Sequence, residues 1–318
     1  MISIAIPAYK HAALTHEAAS SVLQQDIDVE LVILDDFNFV EPTAENLRSI
    51  ESLRDYLHAD PRVKCFSNDT QLPIQDNWNK TVSLCSGSYV KLIGADDRLL
   101  PNSLIDMEKM IKERPEVAFH GHLANVIDGA GMVVRRQRPY GANIIENPID
   151  SVAALKGKLR QQVRFKEPVC NFYLKRAWAL VGGYDKKYRF TFDVSFNVKM
   201  MSTFPVMLWN EYLVELRRHQ ASDGAQLPAS LALTDLKGVV NDIGLALGSE
   251  YTKLDQAAAD GLLQYRLIEL MAQRLKRRPE EVGNLLVNNF PLFIKNPISY
   301  YWTGKFLLGR GMRGDVQQ

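Results

Sequence analysis

Apolar residues recur along the first hundred positions in two alternating rhythms. Short β-prone runs, Ile2 to Ile6, Val29 to Leu34, Arg62 to Phe66 and Tyr89 to Ile93, read as strands. Between them, Leu14 to Gln25 (apolar at Ala18, Val22 and Leu23), Ala44 to Leu57 and Asp76 to Cys85 carry helical spacing. Strand–helix alternation of this kind predicts an α/β fold, a mostly parallel central sheet with helices on both faces. In such sheets ligands bind at the carboxyl ends of the strands. Two acid pairs, Asp35-Asp36 and Asp96-Asp97, fall at those ends, so the pattern turns both toward one crevice.

Beyond residue 100 the pattern changes. Pro101 and Asn102 open a long helical stretch. Val117 to Val126 and Met132 to Arg136, separated by Asp128-Gly-Ala-Gly131, predict a hairpin. Residues 148 to 165 predict a helix, Val169 to Leu174 a strand, and Val181-Gly-Gly-Tyr-Asp185 a turn before the segment Phe190 to Met201. Leu231 to Leu247 and Leu254 to Lys276 read as helices, and the remainder is aromatic and basic. The domain boundary is expected near residue 225, giving an α/β domain over 1–225 and a mainly helical region over 226–318.

Composition narrows the function classes. With 46% apolar and 24% charged residues, this is an ordinary globular chain. A net charge of +1 argues against a dedicated nucleic-acid binder, which would carry a basic field. Cys65, Cys85 and Cys170 are widely spaced, odd in number and without zinc spacing, so free thiols in a reducing cytoplasm are expected. No basic n-region or signal-peptide core opens the sequence, and no apolar run reaches transmembrane length.

The chemistry concentrates at Asp96-Asp97. Adjacent carboxylates on a strand-to-helix loop are costly unless a cation neutralises them, and hard oxygen ligands favour Mg²⁺ or Mn²⁺. The alternative is an acid pair stabilised by a helix N-terminus.

Several motifs in order carry a family resemblance. Ser3-Ile-Ala-Ile-Pro-Ala-Tyr9, Leu31-Val-Ile-Leu-Asp-Asp36 and Ser86-Gly-Ser-Tyr-Val-Lys-Leu-Ile-Gly-Ala-Asp-Asp97 resemble the first strand, second strand and metal-binding signature of family 2 glycosyltransferases of the GT-A fold. Gly182-Gly-Tyr-Asp185, Phe192-Asp193 and Arg218-His219 extend the resemblance to about residue 222. It implies an inverting, nucleotide-sugar-dependent enzyme. By resemblance, Pro7 and Tyr9 border the nucleotide base, Asp36 accepts a hydrogen bond from it in preference to Asp35, and Asp96 meets the ribose side. Asp97 and His219 would hold the divalent metal, Arg218 would contact the diphosphate, and Asp193 would be the catalytic base.

Three departures stand out. Gly94 occupies a position where the family often has another acid, Phe192 replaces the first residue of a Glu-Asp pair, and Asp69-Thr70-Gln71 replaces the usual Asn-x-Gly. Asp185 is the competing base, read more naturally as a turn residue. His120 and His122 share a strand face and read as surface or satisfied core residues, with a wall of the acceptor site as the alternative.

What the resemblance implies for the whole protein is a glycosyltransferase drawing on a nucleotide sugar, UDP-linked in the commonest case. Its acceptor would be a glycan or lipid-linked saccharide in cell-surface polysaccharide synthesis. A catalytically degenerate nucleotide-sugar-binding scaffold is the alternative, motivated by Gly94 and Phe192. A nucleotidyltransferase fits less well, because the loop Pro7-Ala-Tyr-Lys-His11 lacks glycine. The C-terminal aromatic and basic residues, among them Phe290, Tyr300, Tyr301, Trp302, Lys305 and Arg310, leave three roles open. They are packing on the catalytic domain, peripheral contact with the inner face of the cell membrane, and a homo-oligomer contact.

Overall fold

The computed structural model describes residues 1–41, 43–163, 167–218, 228–277, 280–289, 292, 298–301 and 303–305. Four strands, β1 (Ile2–Ala8), β2 (Val29–Asp35), β3 (Val63–Ser67) and β4 (Tyr89–Leu92), run parallel in the order β3-β2-β1-β4. Strands covered on both faces bury both sets of alternating side chains. Accordingly every residue of β2 and β4 is buried, whereas β3, at the edge, is mostly exposed.

Alternation divides the apolar residues between two cores. Ile2, Ile4 and Ile6 of β1 pack with Leu31 and Ile33 of β2 on one face. That core is covered by α1 (Ala12–Leu23), α2 (Ala44–His58) and α4 (Ser103–Glu113), through residues such as Val22, Leu53 and Met107. Ala5, Val32 and Leu92 point to the other face, with Val82 of α3 (Ile74–Leu84).

Past β4 the sheet becomes mixed. β8 (Asn171–Leu174) pairs antiparallel with β4, and β6 (Phe119–Ile127) pairs antiparallel with β8. β9 (Val206–Arg217) runs parallel to β6, and the two-residue β5 (Arg98–Leu99) closes the order against β9. β7 (Val133–Arg136) forms the expected hairpin with β6. β4 and β5 are six residues apart in sequence yet lie far apart in the strand order, so the sheet curls and Ile93–Asp97 bridges its two halves.

β9 is not anticipated by the apolar pattern. Its centre, Trp209-Asn210-Glu211, is only half-buried or exposed, and the register against β6 shifts around Leu123. Those irregularities break the period that sequence reading depends on. The helix expected over 148–165 is shorter, α6 (Ser151–Leu159). The Gln162 and Val163 N–H groups donate back to the Gly157 carbonyl at 2.8 and 3.1 Å and reverse the chain. Only Gly fits there, since a Cβ would stand 2.6 Å from Val163 Cγ2.

The expected helices after residue 225 are present as Ala229–Leu247 and Lys253–Arg277, followed by Glu280–Asn289. Their apolar residues, including Leu233, Ile243, Leu263 and Leu285, join the core formed by α6, α3 and α8 (Phe192–Thr203). Among the described residues no helix is long and apolar enough to cross a membrane. Phe290, Trp302 and Arg310 lie outside the described residues.

Candidate active site

The carboxyl ends of β1, β2 and β4 open on a cleft of about 510 Å³. Pro7 and Tyr9 reach it from the end of β1, Asp36 from the end of β2, and Asp96 with Gly94 from the bridge after β4. Four of the sequence-predicted residues thus share one wall, although they come from three segments. The wall also carries residues that sequence reading did not single out: Lys10, Trp78 from α3, and Arg189 from the loop before α8.

Asp36 is buried at 3% exposure and held by side chains rather than by a turn. Asn68 Nδ2 donates to its Oδ1 at 2.7 Å and to Asn77 Oδ1 at 3.0 Å, while Lys80 Nζ donates to Asn68 Oδ1 at 2.6 Å. Burial pushes the Asp36 carboxyl above its ordinary range, partly offset by the Asn68 hydrogen bond. Asp35 is spent on structure: it accepts from Ser67 Oγ at 3.0 Å and the Phe37 N–H at 3.3 Å, and pairs with Arg54 at 3.4 Å.

Asp96 and Asp97 converge on Gly94. A Cβ at that glycine would lie 2.8 Å from Asp96 Oδ1 and 2.7 Å from Asp97 Oδ2. The two carboxylates therefore close over the point where a further acidic side chain would begin. Burial first, and the Asp96 charge second, push the Asp97 carboxyl well up. Both causes, desolvation and a like charge next door, act against ionisation of Asp97.

Arg217 builds the loop. Its N–H donates to Asp97 Oδ1 at 2.8 Å, its Nε to the Asp96 carbonyl at 2.9 Å, and its Nη2 pairs with Glu17 at 2.7 Å. Its only signal in the sequence was its place beside Arg218-His219.

Arg218 stands at the end of β9, ion-paired to Glu167 and close enough to Asp97 to oppose its upward shift. His219 lies outside the described residues. Among the described residues no group of three or more His, Cys, Asp or Glu side chains forms a metal cluster.

Asp193 sits in the first turn of α8 and is not on the wall of the cleft. Burial and the Glu167 carboxylate push its pKa up to about 6. Glu167, which sequence reading missed, thus lies between Arg218 and Asp193 electrostatically. Phe192 packs edge-on against Trp78, with ring centroids 5.0 Å apart, and so links the start of α8 to the cleft wall. Asp185 is a turn residue: it accepts from the Lys187 N–H at 2.8 Å and pairs with Lys199 at 3.3 Å.

The two strand histidines are core residues. His120 Nε2 donates to the Val117 carbonyl at 3.2 Å and its Nδ1 accepts from Trp209 Nε1 at 3.2 Å. His122 Nδ1 donates to the Leu123 carbonyl at 3.0 Å, which leaves Nε2 to accept from the buried Lys91 ammonium at 2.7 Å.

A parallel strand quartet, a curled mixed sheet and a carboxylate-lined crevice at the strand ends define an α/β protein of the GT-A class. Residues 3–179 match the sequence profile of glycosyl transferase family 2, and the chain belongs to that family. It is similar to the "Putative colanic acid biosynthesis glycosyl transferase WcaA" of Escherichia coli (strain K12), with 33% identity over 107 residues, 33% of this chain and 35% of that protein. It is also similar to "Uncharacterized protein MT1568" of Mycobacterium tuberculosis (strain CDC 1551 / Oshkosh), with 26% identity over 116 residues, 36% of this chain and 33% of that one. The matched region thus spans about a third of the length of these curated relatives.

Among solved structures, S. aureus TarS 1-349 in complex with UDP-GlcNAc superposes with a TM-score of 0.59 at 16% identity, covering 96% of this chain and 80% of that one. The mannosyltransferase PcManGT from Pyrobaculum calidifontis, in complex with GDP-Man and Mn2+, gives a TM-score of 0.56 at 12% identity, covering 99% and 88%. At these identities the likeness is one of fold.

Proposed function

We propose that this chain is an inverting glycosyltransferase that moves a sugar from a nucleotide-sugar donor, most naturally a UDP-sugar, to a hydroxyl of a glycan or lipid-linked saccharide. The observation that carries the reading is the convergence of Pro7, Tyr9, Asp36 and Asp96 on one cleft at the strand ends. Family membership supports it, and so do fold neighbours whose complexes hold UDP-GlcNAc and GDP-Man. The relative named for colanic acid biosynthesis supports a role in cell-surface polysaccharide synthesis.

In this reading Tyr9 and Pro7 border the base, Asp36 accepts a base N–H, and Asp96 meets the ribose. The Asn68–Asn77–Lys80 chain fixes Asp36 before the donor arrives, which lowers the ordering cost of binding. Asp97 would hold a divalent ion, Mg²⁺ or Mn²⁺, with His219 as its partner ligand. The residues fit that ion, since Asp96 and Asp97 close over Gly94 with unfavourable like charge. When bound, such an ion neutralises charge on the departing diphosphate. Arg218 and Arg189 supply further cationic groups for the phosphate oxygens.

The acceptor hydroxyl attacks the anomeric carbon from the face opposite the diphosphate. The bond from that carbon to the diphosphate oxygen breaks as the new glycosidic bond forms, and the hydroxyl proton passes to an Asp193 carboxylate oxygen. The nucleoside diphosphate leaves with the bonding electron pair.

A second reading, a nucleotide-sugar-binding protein without turnover, draws on one observation: Asp193 stands off the cleft wall. One experiment addresses both. A calorimetric titration with UDP-, GDP- and dTDP-sugars, with and without Mn²⁺, should show one nucleotide class binding with metal dependence, and Asp97→Ala should remove that dependence. Binding without turnover on any saccharide would favour the second reading, and no binding of any nucleotide would sink both.

A further inference from the structure

We propose that the β6–β7 hairpin, residues 128–136, docks this chain on an anionic lipid bilayer. The inference rests on the surface alone and not on the enzymatic reading above.

Met132, Val133 and Val134 are consecutive and 67%, 49% and 61% exposed. Neighbouring strand residues point to opposite faces. This apolar segment is therefore uncovered on both sides of the sheet, and β7 is paired only with β6 among the described residues. A rigid protein partner laid on one face would leave the other apolar face in water. A fluid interface can cover both faces of an exposed strand.

Charge selects the kind of interface. Arg135 and Arg136 follow directly and are exposed, and from Gly129 to Ile145 the chain contains no Asp or Glu. The chain as a whole carries only +1, so this basic cluster is local rather than part of a general field. Edge-to-edge pairing with a second copy would bring two such arginine pairs together across one short strand. An anionic headgroup layer instead attracts them.

The hairpin is fixed before it meets a surface. Asp128 Oδ1 accepts from the Ala130 and Met132 N–H groups at 3.0 and 2.9 Å. Arg98 Nη2 donates to the Gly131 carbonyl at 3.2 Å, and Arg217 Nη1 donates to the Gly129 carbonyl at 3.0 Å. The same Arg217 side chain holds the Asp96 carbonyl at 2.9 Å. A bilayer bound at the hairpin tip would therefore sit in a set orientation to the cleft.

The test is flotation of the full chain with phosphatidylcholine vesicles, and with vesicles containing about 30% phosphatidylglycerol, at low and high salt. Binding to the anionic vesicles alone, weakened by salt, is expected. The double variant Met132→Ser/Val134→Ser and the single variant Arg136→Ala should each weaken it about fivefold or more. Both should keep the parent melting temperature, because these side chains are exposed. Equal binding to neutral vesicles, no vesicle binding, or binding indifferent to the hairpin variants would overturn the proposal. So would a concentration-dependent dimer that the same variants dissolve, which would identify the partner as a second copy.

Discussion

Gly94 and Phe192, the two departures from the family pattern that raised a degenerate protein as an alternative, have physical reasons in the structure. An acid at position 94 would begin within 3 Å of both the Asp96 and Asp97 carboxylates, so the glycine is what allows them to converge. Gly94→Ala should force the two carboxylates apart. Calorimetry should show metal-dependent nucleotide binding lost; unchanged binding would separate Gly94 from the acid geometry. Phe192 is an anchor between Trp78 and the start of α8. Asp193, with its pKa pushed up to about 6, makes a pH prediction of definite sign. The rate should climb with pH through about 6 as the carboxyl ionises, and Asp193→Asn should abolish that limb and lower turnover about 100-fold or more. Stability gives an independent readout. The folded state binds the Asp193 proton more tightly than the unfolded state, so the parent loses stability as pH rises from 3.8 to about 6. Asp193→Asn should therefore melt higher than the parent at pH about 8 and close to it at pH about 4. An identical melting profile at both would mean that the carboxyl is not desolvated.

At the scale of elements, the parallel quartet is held at its amino ends by a buried acid that no pattern reveals. Glu30 of β2 accepts from Lys64 Nζ of β3 at 2.6 Å and from the Ser86 N–H and Oγ at 2.6 and 2.7 Å, and it also takes the Ser3 hydroxyl of β1. Burial raises its pKa, but the Lys64, Ser3 and Ser86 hydrogen bonds outweigh that and hold it at about 2. A lowered carboxyl contributes stability above its unfolded value of 4.5 and loses it as pH falls toward about 2. Glu30→Gln should thus cost about 1–3 kcal/mol at pH 7 in a urea melt. The deficit should shrink as pH drops through that window, and a pH-independent deficit would assign the loss to packing. Opposite this network, at the carboxyl ends, the same strands place the cleft. Sequence periodicity locates both ends but not the polar stitching, because side-chain partners 27 to 56 residues apart leave no local trace.

For the whole molecule, the C-terminal helices are more than an appendage. Asp235, buried in the helix Ala229–Leu247, accepts the Phe190 N–H at 2.6 Å, and Asp242 of the same helix accepts the Tyr188 hydroxyl at 2.7 Å. These contacts hold the segment that leads into α8 and carries Asp193. Asp235→Ala should lower turnover about tenfold, as expected when a positioned group is displaced, and weaken donor affinity to a smaller extent through the neighbouring Arg189. Steady-state kinetics beside donor calorimetry would show the split, and an unaltered kcat would free Asp193 from this support. A core shared between the two regions also explains why the pattern near residue 225 marks a change of composition while packing continues across it.

By itself the sequence determined the strand–helix alternation of the first hundred residues, the carboxyl-end placement of Asp36 and Asp96-Asp97, and the family. These follow from local periods and contiguous motifs. Of the adjacent pair, Asp36 lines the cleft while Asp35 is engaged by Ser67, the Phe37 N–H and Arg54, a division that the sequence does not show. Tertiary structure alone decided the rest: the curl that brings β5 onto β9, the stapling of Asp96 and Asp97 by Arg217, the pairing of Glu167 with Arg218, and Arg189 on the cleft wall. Each depends on contacts between segments distant in the chain, which no single-sequence period encodes. The acid pair after β4 was visible from its spacing. That its carboxylates meet over a glycine, locked by an arginine 120 residues away, could be read only from the fold.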